Sequence, residues 1–156
     1  MKVLLIADSP AWAIGKIARC IVQYNEHINF NLLYVHPKNV AAHVDEVRKA
    51  FADCDLVHFL YWNSAKQLME LMPELKTKPR ILSHFNQKNL LTDRWDDYDL
   101  ITACTEKSVG ILKHEYPNVK KINLAADLDY LKFNENYPSK DPKVGYVGRV
   151  VPWKGL

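Results

Sequence analysis

The sequence predicts an α/β fold, a doubly wound Rossmann-like three-layer domain with a mostly parallel sheet, and three observations lead to this class. Short apolar segments recur at intervals of roughly 20 to 27 residues, which is the repeat length of a βα unit. Between them, apolar residues recur with the 3.6-residue period of a helix. The apolar segments are nearly continuous rather than alternating, which is typical of strands buried on both faces of a sheet.

Six strands and four helices are expected in alternation along the chain. The predicted strands are residues 3–7, 30–35, 56–61, 80–83, 100–103 and 119–124. The helical periodicity covers residues 14–22, 40–54, 65–72 and 109–116. Thr105 is the expected N-cap of the fourth helix, and Pro73 and Pro117 are expected to end the third and the fourth. In such a fold the loops that follow the strands gather at one edge of the sheet, and a ligand is expected there.

Two segments interrupt this alternation. Residues 87–98 are polar and acidic and predict a loop with a short helical turn. Residues 127–141 are rich in Asn, Asp, Pro and Lys and read as a linker. We therefore expect a Rossmann-like domain over residues 1–140, followed by a linker and the first strand of another domain over residues 141–156.

Composition narrows the classes of partner. The 156 residues are 48% hydrophobic and 25% charged, as expected of one globular core, and the formal net charge is only +3. Lys and Arg are scattered rather than clustered, so a nucleic-acid partner is not expected, whereas weak peripheral association with anionic membranes stays open. The three cysteines are far apart in the sequence and predict reduced core thiols, which favours a cytoplasmic protein.

Several chemistries are disfavoured by what the motifs lack. The six histidines show no metal-ligand spacing, so no metal site is expected. The first βα turn carries Gly15 alone instead of a glycine-rich dinucleotide fingerprint, which argues against a nicotinamide enzyme. A phosphoacceptor domain would need an aspartate at the end of the third strand, where the chain has Leu60, Tyr61 and Trp62.

The last fourteen residues, KVGYVGRVVPWKGL, contain the most specific motif of the chain. A short apolar strand runs into Gly148, and the cations Arg149 and Lys154 follow. Glycine allows close backbone approach and the cations offset negative charge, so this arrangement can bind a diphosphate. The alternative interpretation is an ordinary strand followed by a solvated loop.

This motif resembles the opening of the nucleotide-sugar-binding domain of family-four glycosyltransferases, which have the GT-B fold. Weaker similarities precede it along nearly the whole chain. They are DLVH at residues 55–58, ILSHFN at 81–86, LITACTEKSVGIL at 100–112 and INLAADLDYLKF at 122–133. The second histidine that the family often has after its third strand is Leu60 here, and its usual Asn-Gly turn is Ala-Ala.

The resemblance implies a function for each part of the chain. Residues 1–140 would be the acceptor-binding domain of a retaining glycosyltransferase, with a glycan, lipid or small molecule as acceptor and a nucleotide sugar as donor. Gly148, Arg149 and Lys154 would bind the donor diphosphate, so that neither a metal nor another cofactor is required. His84 would hydrogen-bond or orient the transferring sugar; a packing or capping histidine is the alternative. The donor domain of the same protein would be the partner, and this chain alone is expected to be inactive.

The loop after the first strand departs from the family, which commonly has paired glycines there. This chain has Trp12, Ala13, Ile14 and Gly15. Trp12 either offers a platform for a sugar ring or packs the helix onto the sheet, and the second role is the more common one. Tyr61 and Trp62, after the third strand, complete the predicted acceptor-side loops.

The sequence is also compatible with two other classes of function. The chain could be a stand-alone ligand-binding or protein-interaction module, in which Arg149 and Lys154 belong to a solvated tail. It could also be a small α/β enzyme of unrelated chemistry, since the fold alone does not specify one. Incorporation of residues 143–156 into the middle of the same sheet would favour the module.

Overall fold

The structure is a computed structural model that describes residues 1–85 and 95–123. All of these residues belong to a compact unit, Met1–Ala125, and a second unit comprises Ala126–Leu156. The predicted linker, the domain boundary near residue 140 and the position of residues 143–156 all lie outside the described residues, and they stay predictions.

A six-stranded sheet, parallel throughout, forms the centre of the first unit. Its strands are β1 Lys2–Ala7, β2 Asn29–Tyr34, β3 Leu56–Phe59, β4 Arg80–His84, β5 Leu100–Ala103 and β6 Val119–Lys121. Their spatial order is β2-β1-β3-β4-β5-β6. The predicted mixed α/β fold with a parallel, Rossmann-like sheet is thereby confirmed.

Helices connect these strands. The α-helices of the described residues are α1 Ala13–Gln23, α2 Val44–Ala52, α3 Trp62–Leu71 and α4 Glu106–Lys113. Shorter 3₁₀ helices occupy Val40–His43, Pro73–Thr77 and Trp95–Asp97. Among the described helices, none combines the length and the apolar character that a membrane span requires.

Several of the predicted element boundaries need correction. The sixth strand ends at Lys121 instead of residue 124, and the fourth helix ends at Lys113 instead of residue 116. The third strand ends at Phe59 instead of residue 61, because Tyr61 is the extended N-cap of α3. The second helical segment divides into the 3₁₀ helix Val40–His43 and α2. The third helix begins before the predicted residue 65, at Trp62. The expected N-cap of α4 is confirmed, since the Ser108 N–H donates to Thr105 Oγ1 at 3.1 Å.

Two hydrophobic clusters cover the two faces of the sheet. The larger one joins alternate strand residues, such as Leu4, Ile6 and Phe59, to buried residues of α2, α3 and α4. The smaller one joins Leu5, Ala7 and Leu60 of the opposite face to α1. Helices therefore pack on both faces, as in a doubly wound domain.

A half-buried lysine fixes the end of α2 to the connection between β3 and β4. The Lys78 ammonium donates to the carbonyl oxygens of Phe51 and Cys54 at 2.6 Å each, and to that of Ala52 at 3.4 Å. It also lies 4.6 Å from the centroid of the Phe51 ring. A cation at a helix C-terminus satisfies carbonyl groups that have no partner within the helix.

The three cysteines are free thiols, but the prediction that they are core residues holds only for Cys54, since Cys20 and Cys104 are half-buried. Cys54 is buried between α2 and the sheet, and burial raises the pKa of its thiol. A buried, protonated thiol acts as a small apolar side chain.

Candidate functional site

The carboxyl ends of β1 and β3 form the point at which the chain reverses direction across the sheet. From β1 the chain passes through α1 to β2 on one side, and it returns through α2 to β3 on the other. The loops after β1 and β3 therefore diverge and leave a crevice, which is the usual ligand position in open α/β sheets. The sequence prediction of a site at this edge rests on the same geometry.

The loop after β1 begins with a buried carboxylate. Asp8 is only 2% exposed, and its Oδ1 accepts a 2.7 Å hydrogen bond from the Ser9 N–H. The Ser9 carbonyl oxygen in turn accepts from the Trp12 N–H at 3.2 Å. These bonds hold the loop in a tight turn at the start of α1.

Gly15 makes this loop geometry possible. It lies in the first turn of α1, and a Cβ atom built on it would stand 1.9 Å from the Ser9 carbonyl oxygen. No side chain can occupy that space, so only glycine lets the loop pack against the helix. Gly15 thus acts by allowing close packing of backbone against backbone, and the acceptor-side role predicted for it stays a prediction.

Trp12 is the exposed aromatic residue of the same loop. It is 42% exposed and lies at the N-cap position of α1. Its ring meets the ring of His36 edge to face, with the centroids 5.0 Å apart. Since His36 follows β2, the pair joins the loops at the carboxyl ends of two neighbouring strands, and much of the indole remains accessible to a ligand.

Tyr61 and Trp62 occupy the other side of the crevice, after β3. Their ring centroids are 6.3 Å apart, and Trp62 packs against the larger core cluster. Two hydrogen bonds tie the start of α3 to the loop after β2: Ser64 Oγ donates to the Val35 carbonyl at 2.6 Å, and Gln67 Nε2 to the Pro37 carbonyl at 3.1 Å. Aromatic residues of three loops are therefore gathered around the end of β1.

His84 is the last residue of β4, two strands away from β1. At the usual spacing of about 4.8 Å between strands, it lies roughly 10 Å from the axis of β1. It is 2% exposed, and burial lowers its pKa to about 4, so the imidazole is neutral near pH 7. A neutral imidazole can both donate and accept a hydrogen bond, which suits positioning a ligand.

A polar row, which consists of the half-buried His58 and the buried Ser83 and Thr102, crosses the sheet near the carboxyl ends of the strands. His58 Nε2 lies 2.8 Å from Ser83 Oγ, which lies 2.8 Å from Thr102 Oγ1. These residues belong to β3, β4 and β5, and burial lowers the pKa of His58 to about 4. His58 is thus placed within its strand, whereas His84 stands at the strand end.

The sequence places Asp8 at the carboxyl edge after the first strand but assigns it no role, and it does not predict the polar row. The sequence contains a sign of the position of Asp8, because this carboxylate immediately follows an apolar strand. It contains a similar sign for Ser83 and Thr102, since each interrupts an apolar strand. Their pairing depends on which strands are neighbours, and the sequence does not specify that.

The predicted donor-side residues Gly148, Arg149 and Lys154 lie outside the described residues. The described residues contain no group of three His, Cys, Asp or Glu side chains that could hold a metal ion. A cavity of about 260 Å³ lies at the amino-terminal ends of β1 and β2, opposite the candidate site. Lys2, Asn29 and Asp53 are among the residues that line it. The Lys2 ammonium already donates to Asp53 Oδ1 at 2.7 Å. The aromatic residues at the carboxyl ends of the strands are therefore the stronger candidate site.

Comparison of the chain with protein-family models, with curated proteins and with solved structures finds no match.

Proposed function

We propose that this chain contributes the acceptor-binding domain of a nucleotide-sugar-dependent, retaining glycosyltransferase with the GT-B fold. The observation that carries the proposal is the exposed Trp12, in contact with His36, on the loop that the buried Asp8 begins at the switch point of a parallel sheet. The similarity of the terminal motif to the nucleotide-sugar-binding domain supports it from the sequence.

The edge has the chemical groups that bind a polyhydroxylated ring. The accessible indole of Trp12 offers an apolar surface to the C–H groups of a sugar. Asp8 is buried, and the hydrogen bond that its Oδ1 accepts from the Ser9 amide holds the turn that precedes Trp12. An accessible indole on a fixed loop at the switch point therefore favours a carbohydrate or another polyol as the acceptor.

His84 contributes as a neutral hydrogen-bonding group. Its pKa of about 4 means that protonation does not alter it between pH 6 and 8. We assign it the orientation of the transferring sugar rather than general base catalysis. Arg149 and Lys154 would neutralise the diphosphate of the donor, so the transfer would need no metal ion.

Ligand binding by the 156-residue chain tests the proposal. Saturation-transfer NMR with mono- and disaccharides should give signals that weaken in Trp12→Ala by about two- to tenfold in affinity, as expected for one aromatic contact. Leu71→Ala is the matched control. Leu71 is 49% exposed, comparable to Trp12, but it is the last residue of α3 and lies away from the carboxyl ends of the strands. Binding unchanged by Trp12→Ala would refute the site.

The same experiment separates the proposal from the alternative of a stand-alone module. Saccharide signals that depend on Trp12 support the acceptor domain. If no saccharide binds while other small molecules or proteins do, the glycosyltransferase proposal is wrong and the module is favoured.

A further inference from the structure

The two edges of the sheet differ in how they are protected from pairing with another strand. β6 has three residues, and two of them are exposed lysines, Lys120 and Lys121. β2 has six residues, NFNLLY, without a charge or a proline. Short length, lysine and proline are the usual means by which proteins prevent edge-to-edge association. β2 has none of them.

The outer side of β2 presents backbone groups for a further strand. The N–H groups of Asn29 and Val35 donate to the carbonyl oxygens of Met1 and Ala7 at 3.1 and 2.8 Å, so the odd-numbered residues bond to β1. Successive residues of a strand direct these groups to opposite edges. Those of Phe30, Leu32 and Tyr34 therefore point away from β1, and no described strand pairs with them.

The side chains of these three residues make β2 complementary to itself. All three pack on the α1 face of the sheet, against the smaller hydrophobic cluster. In an antiparallel pair centred on Leu32, Phe30 of one copy lies opposite Tyr34 of the other, and Leu32 lies opposite Leu32. Apolar side chains meet on one face, and no charged residue of β2 lies opposite another.

The backbone supports the same register. The outward-facing residues become the hydrogen-bonded pairs of the antiparallel ladder, with two N–H···O bonds for each pair. A two-fold axis through Leu32 maps each strand onto its partner, which gives the closed symmetry most common among homo-oligomers.

We propose that the outer edge of β2 is a dimer interface, at which two copies of this chain pair antiparallel about Leu32 and continue one sheet into the other. The partner is a second copy because β2 has no charged residue and carries an aromatic residue two positions on either side of Leu32, so the two-fold register pairs Phe30 with Tyr34 twice on one face. This interface is independent of the proposed carbohydrate site.

Mass measurement tests the association. In sedimentation equilibrium, the 156-residue chain should reach the mass of a dimer as its concentration rises. Asn31→Lys should weaken the dimer by about fivefold or more, because the two-fold axis brings the two lysines to diagonal positions roughly 7–8 Å apart. Asn31 is exposed, so the monomer fold tolerates the change, and the neutral Asn31→Gln should keep the affinity of the wild type.

Cross-linking tests the register. Leu32→Cys places two thiols on the two-fold axis, where the Cα atoms of a hydrogen-bonded pair are about 5.5 Å apart and a disulfide can form. Asn31→Cys is the matched control, since its diagonal separation exceeds the roughly 7 Å limit for a disulfide. The unmodified chain measures any cross-linking by the native cysteines.

Selective cross-linking of Leu32→Cys in a dimer that Asn31→Lys weakens supports the proposal. A chain that stays monomeric up to about 1 mM, the limit of weak specific affinity, overturns it. Cross-linking of Asn31→Cys at the same rate as Leu32→Cys overturns it as well.

Discussion

Replacing Gly15 by alanine should destabilise the domain although alanine is the better helix former. The new Cβ would stand 1.9 Å from the Ser9 carbonyl oxygen and 2.7 Å from its carbon, so the loop after β1 must move by more than 1 Å. Backbone shifts of this kind cost about 1–3 kcal/mol, and a contact of 1.9 Å with a backbone atom belongs at the upper end, about 3 kcal/mol. Alanine in a helix returns about 1 kcal/mol. We expect a net loss of about 2 kcal/mol in the free energy of unfolding.

Gly110→Ala provides the matched control. Gly110 lies within α4, and a Cβ atom placed there has no atom within 4 Å, so the variant should gain up to about 1 kcal/mol. The difference between the two variants, about 3 kcal/mol, isolates the cost of the contact at Ser9. It corresponds to a gap of roughly 6–12 °C in Tm.

Urea unfolding followed by circular dichroism measures both variants. Because Gly15 supports the loop that carries Asp8 and Trp12, Gly15→Ala should also weaken saccharide binding, whereas Gly110→Ala should not. The reasoning is refuted if Gly15→Ala is as stable as Gly110→Ala, since the loop would then yield at no cost.

Three further predictions concern stability. Lys78→Met should cost about 1–3 kcal/mol of unfolding free energy, because carbonyl groups at the end of α2 lose their cationic donor, and the exposed Lys107→Met should cost little in the same urea titration. Thr105→Ala should cost about 1 kcal/mol through loss of the N-cap, and Thr105→Ser should restore most of it; full stability of the alanine variant would show that the cap contributes nothing. His58 and His84 have pKa values of about 4 in the folded protein, below the usual 6.5, so the unfolded chain binds more protons between these values and stability falls as the pH is lowered. Each histidine should lower the free energy of unfolding by about 2 kcal/mol between pH 7 and pH 5, and the His84→Gln variant should lose less stability over that interval. A pH dependence of stability identical to that of the wild type would contradict the low pKa of His84.

Much of the candidate site could be located from the sequence alone. Trp12, Tyr61 and His84 were placed at strand ends from hydrophobic periodicity, and the structure has each of them at or just beyond the carboxyl end of a strand. The Trp12–His36 contact could not be predicted, because it depends on β2 lying beside β1. The close packing of Gly15 against the Ser9 carbonyl group could not be predicted either, since the sequence does not show which backbone atoms approach each other.

The sequence by itself determined the order and type of the elements, because apolar period and caps such as Thr105 are local properties that each segment carries alone. Only the tertiary structure decided the strand order β2-β1-β3-β4-β5-β6. From that order follow the switch point at β1, the polar row His58–Ser83–Thr102 and the unprotected edge at β2. These features join residues far apart in the chain, and pairing between distant segments is selected by the packing of the whole core rather than by the local pattern of any one segment.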